Sequence, residues 1–252
     1  MTAPIRALDT GLMPARWNVA MTAALAERHA GGLTPDTIRL HRYPASVLLG
    51  CNQEAQRAVD LDYCRGHSIE VARRVTGGGC VFMSPGMLAW EVVVERQAAS
   101  LGLDALTRHL CQGVADGLQR LGVAAHFRAP NDVEVAGRKI SGSSGLMVGR
   151  SALLQGTVLL ADDVATMARA LRTPEAALRA QVTWLGAALD SAPAAGSVAD
   201  AVLRGLAAAL GRAPAPACVT PEELARADDL LREEIGTETF VTGDAARREA
   251  AS

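Results

Sequence analysis

The sequence predicts an α+β fold, and three observations carry that expectation. Short strand-like runs are mixed with helix-like ones along the chain. Several of the strand-like runs are joined by hairpin turn signals. The composition, 49% hydrophobic and 21% charged, is that of a globular chain. At 252 residues there is room for one sizeable domain with a small appendage. We expect one main unit over 1–190 and a short helical extension over 191–252.

In chain order, Met13 to Arg28 predicts an amphipathic helix, with Trp17, Ala20, Met21, Ala24 and Leu25 near helical spacing and Gly31-Gly32 as its stop. Thr37 to Tyr43 and Ser46 to Gly50 predict strands joined by a turn at Pro44. Val59 to Gly66 predicts a short helix. Ile69 to Arg73 and Cys80 to Met83 predict strands on either side of a glycine turn. The β-patterned run Leu88 to Glu95 is expected to pair next to the second of them.

Leu103 to Leu121 predicts the longest helix, burying Leu103, Leu106, Leu110, Val114, Leu118 and Leu121 as plain core. Gly113 and Gly117 are unusual inside it. Val123 to Phe127 leads into a strand at Asn131. Lys139 to Val148 and Ser151 to Leu160 predict a hairpin turning at Gly149-Arg150. Helices are expected over Asp163 to Leu171, Pro174 to Gln181 and Val198 to Leu210. Linkers are expected over Ser191 to Ser197 and Arg212 to Cys218. Thr220, with Glu223 three residues on, is a capping-box start for a last helix reaching about Glu234. Asp244 to Ser252 reads as a frayed tail.

The net charge of −2 argues against a general nucleic-acid binder. Aromatic residues make up only 3%, so Ala, Val and Leu must build the core. Cys51, Cys64, Cys80, Cys111 and Cys218 form no CxxC pair, which points to neither a zinc site nor a disulfide framework. Reduced thiols, an N-terminus without an apolar signal region and no apolar run of spanning length predict a cytoplasmic protein without a membrane anchor.

Two stretches carry chemistry. Arg73 to Phe82 reads RRVTGGGCVF. Gly77, Gly78 and Gly79 let the backbone take positive φ and approach a ligand, and successive N–H groups in such a turn form an anion-binding concavity. Arg73 and Arg74 bring forked donors for phosphate or carboxylate, and in a strand only one of them faces a pocket. On its own the stretch is equally a glycine-rich hairpin with solvated arginines. Asn131 to Gly145 reads NDVEVAGRKISGSSG. It predicts two short strands turning at Ala136-Gly137, with Lys139 at the start of the second, where a compact charge can meet a phosphoryl oxygen. On its own that lysine reads first as an edge-strand charge that discourages aggregation.

In this order the two stretches resemble the motifs of the lipoate–protein ligase A family, within the biotin and lipoate protein ligases. Tyr43 to Gln53, YPASVLLGCNQ, resembles a third segment of that family. Leu154 to Leu160, LQGTVLL, resembles a fourth, with Gln155 where the family usually has His. The resemblance spans about Leu12 to Leu231. It implies a mixed β-sheet flanked by helices, with glycine loop and lysine facing one cleft. It implies ATP-dependent formation of lipoyl-AMP with Mg2+, then transfer of lipoyl to a lysine of a lipoyl carrier domain. Lys139 would be the catalytic residue. Arg73, Arg74, Gly77, Gly78, Gly79, Cys80, Val81, Phe82, Asn131 and Asp132 would bind substrate or nucleotide, with Asp132 also near magnesium and Gln53 closing one side.

The chain departs from the family where Met83-Ser84-Pro85-Gly86-Met87 replaces an HD-x-G-N-like loop, and where Cys80 replaces a small residue. Related acyltransferases carry the acyl group on a cysteine, but neither of their two usual positions has one here. Transfer of octanoyl or lipoyl between carriers is therefore the weaker expectation, and a non-catalytic acyl or carrier binder a third. The short chain also leaves room for a separate accessory subunit.

Overall fold

The computed structural model describes residues 3–96, 102–189 and 193–243. The fold is α+β, a mixed sheet flanked by helices. The chain opens with strand β1 (Ile5–Leu12), then helix α1 (Ala15–Ala30), whose C-terminus is closed by the Gly31 N–H on the Glu27 carbonyl and the Gly32 N–H on the His29 carbonyl. β2 (Thr37–Arg42) follows, then β3 (Ser46–Leu49), the four-residue helix α2 (Ala55–Ala58) and α3 (Leu61–Gly66). The side chain of Asp60 caps α3 through the Tyr63 N–H. β4 (Glu70–Arg73) and β5 (Val81–Met83) bracket the glycine loop, and β6 (Met87–Glu95) completes the first half.

Helix α4 (Leu103–Gln119) leads to β7 (His126–Arg128), β8 (Asp132–Val135), β9 (Arg138–Val148) and β10 (Ser151–Leu159). Then come α5 (Val164–Ala170), α6 (Glu175–Gln181), α7 (Leu185–Ala188), α8 (Ala195–Ala209), β11 (Pro214–Pro216) and α9 (Pro221–Leu230). A π-helical turn over Leu231–Ile235 and the short α10 (Glu238–Thr242) end the described chain.

Eight strands form one sheet in the order β11-β1-β2-β6-β10-β9-β8-β7, and β4-β3-β5 form a second. β11, β1 and β2 run parallel, and the other pairs of the large sheet are antiparallel. Alternation along each strand sends side chains to two cores, one on each face. On one face Met87, Ala89 and Val93 meet α1, the small sheet and α5. On the other, Leu88, Trp90, Val92 and Val94 meet α4 and α8.

The hairpins over 132–142 and 141–158 lie where the turn signals put them. The Thr220–Glu223 capping box is present. Four expectations need correction. β6 does not pair with β5: it lies between β2 and β10, while β5 joins β3. Of the linker expected at 191–197, Ala195 onward is helical, and residues 191 and 192 lie outside the described residues. The Arg212–Cys218 linker contains β11, whose backbone pairs with β1 although two of its three residues are proline; an edge position tolerates them. Of the predicted stripe on α4, Leu103 is only half-buried and lines the cavity described below. The expected tail from Asp244 lies outside the described residues.

The two glycines inside α4 have a packing reason. A Cβ on Gly205 of α8 would stand 2.0 Å from the Gly113 carbonyl oxygen, and one on Gly117 would stand 2.4 Å from that of Ala201. The two helices touch backbone to backbone.

Candidate active site

A cavity of about 710 Å³ opens between the glycine loop, β9 and β10, and α5 and α6. Nine of the residues expected from the motifs line it: Arg74, Gly77, Gly78, Gly79, Cys80, Val81, Phe82, Asn131 and Lys139. Leu48, Met83, Ala89, Leu159, Met167 and Leu171 supply an apolar wall.

The loop is held in shape from below. Arg74 is buried, and its guanidinium donates to the carbonyl oxygens of Gly77 (2.6 Å), Gly79 (2.7 Å) and Leu48 (3.0 Å) and to Thr76 Oγ1 (3.1 Å). With those carbonyls turned toward the arginine, the loop can offer its N–H groups elsewhere. Gly78 has φ of +94°, which a side chain would strain. Gly50 must also lack a side chain, since its Cβ would fall 2.0 Å from the Gly78 oxygen. Thr76 Oγ1 ties the loop to β9 and β10 through Ser144 Oγ (2.9 Å) and Gln155 Nε2 (2.5 Å). Gln155, standing where the resembled motif usually has His, is therefore a strut between loop and sheet.

Lys139 sits at the N-terminal end of β9. Its carbonyl accepts from Thr183 N–H (2.8 Å), which pins the backbone to the segment after α6. Its side chain runs over Gly142, where a Cβ would stand 2.3 Å from both Cε and Nζ. Nζ pairs with Asp132 Oδ1 at 2.6 Å, and Asp132 Oδ2 accepts from Arg128 at 2.8 Å. The lysine is 37% exposed, so its charge is both oriented and reachable. Asn131 lines the cavity next to it. Its side-chain amide donates to the Ser143 carbonyl, and its own carbonyl accepts from Ser143 N–H and Oγ.

Three expected site residues do not line the main cavity. Arg73 points away. It donates to the carbonyls of Gly50 and Cys51 on one side and of Phe240 and Val241 in α10 on the other, so it clamps the C-terminal helix to the base of the loop. Adjacent strand residues face opposite ways, and it is Arg74 that takes the pocket side. Gln53 stands behind the wall, accepting from Cys80 Sγ (2.9 Å) and Gly50 N–H (3.3 Å). Asp132 lies beneath Lys139 and lines a smaller cavity with Arg128.

Burial pushes the Cys80 thiol up, against the opposing pull of Arg74 and Arg73, which keeps it protonated. Cys111, packed on Ser143 behind β9, is pushed up to about 11 by burial. The Met83–Met87 loop, where the motif departs, is anchored by Ser84 Oγ donating to Asp163 Oδ2. Motif reasoning assigned no role to Tyr43, Thr76 and Ser144, which stand inside the quoted stretches, or to His41, which stands outside them, yet all four line or brace the cavity.

A second polar cluster has the hydrogen-bond order of a hydrolase triad: His29 Nδ1 lies 2.6 Å from Ser151 Oγ, and Nε2 lies 2.8 Å from Asp36 Oδ1. Ser151 is fully buried and none of the three lines the cavity, so the cluster braces α1 against the sheet. Among the described residues no three His, Cys, Asp or Glu side chains are grouped as a metal site, and no helix is long and apolar enough to cross a membrane.

Comparison with known proteins agrees with this geometry. Residues 14–207 match the lipoyl protein ligase A/B catalytic domain. The chain is 30% identical to the octanoyltransferase LipM of Symbiobacterium thermophilum, over 93% of this chain and 97% of that one. It is 31% identical to lipoate-protein ligase A subunit 1 of Thermoplasma acidophilum, over 58% of each. Among solved structures, a lipoate-protein ligase A bound with ATP superposes with a TM-score of 0.85 at 25% identity, covering 95% of this chain and 99% of that chain. The bi-partite lipoate protein ligase of T. acidophilum, solved with its E2 lipoyl domain, superposes with a TM-score of 0.84 at 26% identity, covering 96% and 97%. With the glycine loop and Lys139 on one cavity, the chain belongs to the lipoyl protein ligase A/B catalytic domain family, in the biotin and lipoate ligase superfamily, among enzymes that include lipoate ligases and octanoyltransferases.

Proposed function

We propose that this chain is an ATP-dependent lipoate–protein ligase. One observation carries the reading: a reachable lysine stands beside a glycine loop on an apolar cavity, while the thiol lining that cavity, Cys80, is held protonated and hydrogen-bonded to Gln53. A thiolate carrier would need the opposite arrangement.

In the first step the acid's carboxylate attacks the α-phosphorus of ATP and pyrophosphate leaves. Lys139 neutralises the charge gathering between carboxylate and phosphate, and the loop N–H groups add fixed donors. The apolar wall holds the acyl chain, so the two anions meet in a fixed orientation. In the second step a carrier lysine amine attacks the acyl carbon of the adenylate and AMP leaves. Arg74 acts by shaping the loop rather than by holding an anion.

Asp104 is the carboxylate lining the cavity, and Asp132 is already paired with Lys139 and Arg128. One cavity carboxylate suits a magnesium ion carried in on nucleotide phosphates better than one held in a protein cage. The lining residues fall between His41 and Val182, which supports assigning the chemistry to 1–190. The extension reaches the site through the Arg73 clamp on Phe240 and Val241. The two-part T. acidophilum ligase makes a lipoyl carrier domain and a second chain reasonable partners, and the free thiols are compatible with the cytoplasmic location we propose.

A second reading, ATP-free transfer of octanoyl or lipoyl between carriers, is favoured by the near full-length similarity to LipM. The test is mass spectrometry of a lipoyl carrier domain incubated with this chain, magnesium and lipoate, with and without ATP. A lipoyl mass gain only with ATP is expected. Acyl transfer from an octanoyl carrier without ATP would establish the second reading instead.

A further inference from the structure

His41 and Tyr43 line the same cavity as Lys139, but from β2 and the residues just after it, across the width of the sheet. Residues directly opposite in neighbouring strands share a face. The pairs His41–Ala89, Ala89–Thr157 and Thr157–Gly142 therefore set one row from β2 through β6 and β10 to β9. All four residues line the cavity, and the Lys139 side chain ends against Gly142. Three strand spacings separate the two ends of the row, about 14 Å. The seven-bond chain of an eight-carbon acid spans roughly 9 Å when extended. With side chains projecting from both ends of the row, an acid whose carboxylate lies at Lys139 ends beside His41 and Tyr43.

The far end of the row is polar and buried. His41 is 3% exposed and Tyr43 4%. His41 Nε2 and Tyr43 Oη are 3.2 Å apart, and His41 Nδ1 is buried without a partner. Burial, and then the charge of Arg39, keep the imidazole neutral. A neutral imidazole has one N–H and a phenol one O–H. The bond between them uses one of these two hydrogens. If Tyr43 donates, the Nδ1–H is left over; if His41 donates from Nε2, the Tyr43 O–H is left over. In either tautomer one buried donor has no partner among the described residues, and such a donor is costly to leave unmade.

We propose that the His41–Tyr43 pair is the distal recognition element of the acyl cavity, donating a hydrogen bond to an acceptor atom at the far end of a medium-chain carboxylic acid. The cavity then favours an eight-carbon chain ending in a heteroatom over the plain alkyl chain. This rests on the reading of the cavity as the acyl site and adds to it the chemistry of the distal terminus.

The test is calorimetric titration of the full chain with octanoate, ω-hydroxyoctanoate and lipoate, with pyrophosphate release from ATP followed in parallel. ω-Hydroxyoctanoate is expected to bind about tenfold more tightly than octanoate. A purely apolar end would reject the hydroxyl, so the sign of the difference is diagnostic. The double variant His41→Leu/Tyr43→Phe is expected to reverse the order. Preference of the wild-type chain for octanoate, or an order unchanged in a folded double variant, overturns the distal element while leaving the acyl-site reading in place. Failure of all three acids to bind, with no pyrophosphate released, overturns the acyl-site reading and the distal element with it. The wild-type comparison decides the question even where the double variant does not fold.

Discussion

The amine of Lys139 lies 2.6 Å from Oδ1 of Asp132, so the positive charge assigned to the reacting anions is already partnered before any substrate arrives. Asp132 is itself tied to Arg128, and the lysine is held in place rather than sweeping the cavity. Replacing Lys139 with Met is expected to lower pyrophosphate release by roughly 10²–10³-fold, the usual cost of one fixed donor at a developing charge. Asp132→Asn keeps a hydrogen-bonding group but loses the ion pair, and is expected to lower kcat/KM by about ten- to a hundredfold through misplacement of the amine. Circular dichroism should show both variants folded, because the lysine is part-exposed and neither change opens a core void.

Two neighbouring glycines should separate activity from stability. In Gly142→Ala the new methyl meets Lys139 Cε and Nζ, the far end of a flexible chain. Catalysis should fall while the melting temperature stays near wild type. In Gly156→Ala the methyl meets the fully buried Trp90 ring at 2.4 Å and the Gly142 carbonyl at 2.8 Å. Overpacking there is expected to cost about 1–3 kcal/mol, read by denaturant unfolding.

Arg73 is expected to behave as a clamp. Arg73→Ala leaves the carbonyls of Gly50, Phe240 and Val241 without their buried donor. A loss of roughly 2–4 kcal/mol should follow. Hydrogen exchange should rise at α10 and around Gly50 before it rises in the large sheet.

Cys80→Ala distinguishes the two readings of the chemistry. A half-buried, protonated thiol that only fills space can be replaced by a methyl, so ATP-dependent lipoylation should persist in the variant. Loss of an ATP-free acyl transfer, together with a mass adduct on Cys80 in the wild-type chain, would show the thiol to be the carrier.

Asp36 gives a pH signature. Burial pushes its carboxyl up, but hydrogen bonds from His29, Arg212 and the Glu95 N–H outweigh that and hold it below its ordinary value of 3.8. A depressed carboxyl contributes stability that is fully present above 3.8 and is lost as pH falls through the folded-state value. Asp36→Asn should therefore be less stable at neutral pH, by about 1–3 kcal/mol. The gap to wild type should close on acidification below pH 3.8, as seen in thermal melts across pH.

The motifs made the loop and the lysine legible because backbone freedom and charge are written in residue type: three glycines, an arginine pair, and a lysine after a Gly-Arg turn. Their division of labour was not. That Arg74 rather than Arg73 faces the cavity depends on strand register, and that Gln53 stands behind Cys80 depends on where the loop folds back. β11 carries a weak strand signal because an edge strand needs little β-propensity, and Pro214 and Pro216 argue locally for a linker. His41 was invisible for another reason: an isolated histidine in a strand acquires meaning only from the cavity beside it.

The crossing of α4 and α8 has one more consequence. Along α8 small residues recur every fourth position, at Ser197, Ala201, Gly205 and Ala209, a pattern that would let the helix slide by whole turns without changing its outline. Sliding one turn either way would bring an alanine to the place of Gly205, and a methyl there cannot coexist with the Gly113 carbonyl, which a Cβ would approach to 2.0 Å. The absence of a single carbon atom thus works as a vernier, selecting one register from a nearly degenerate ladder and fixing where β11 and α10 arrive.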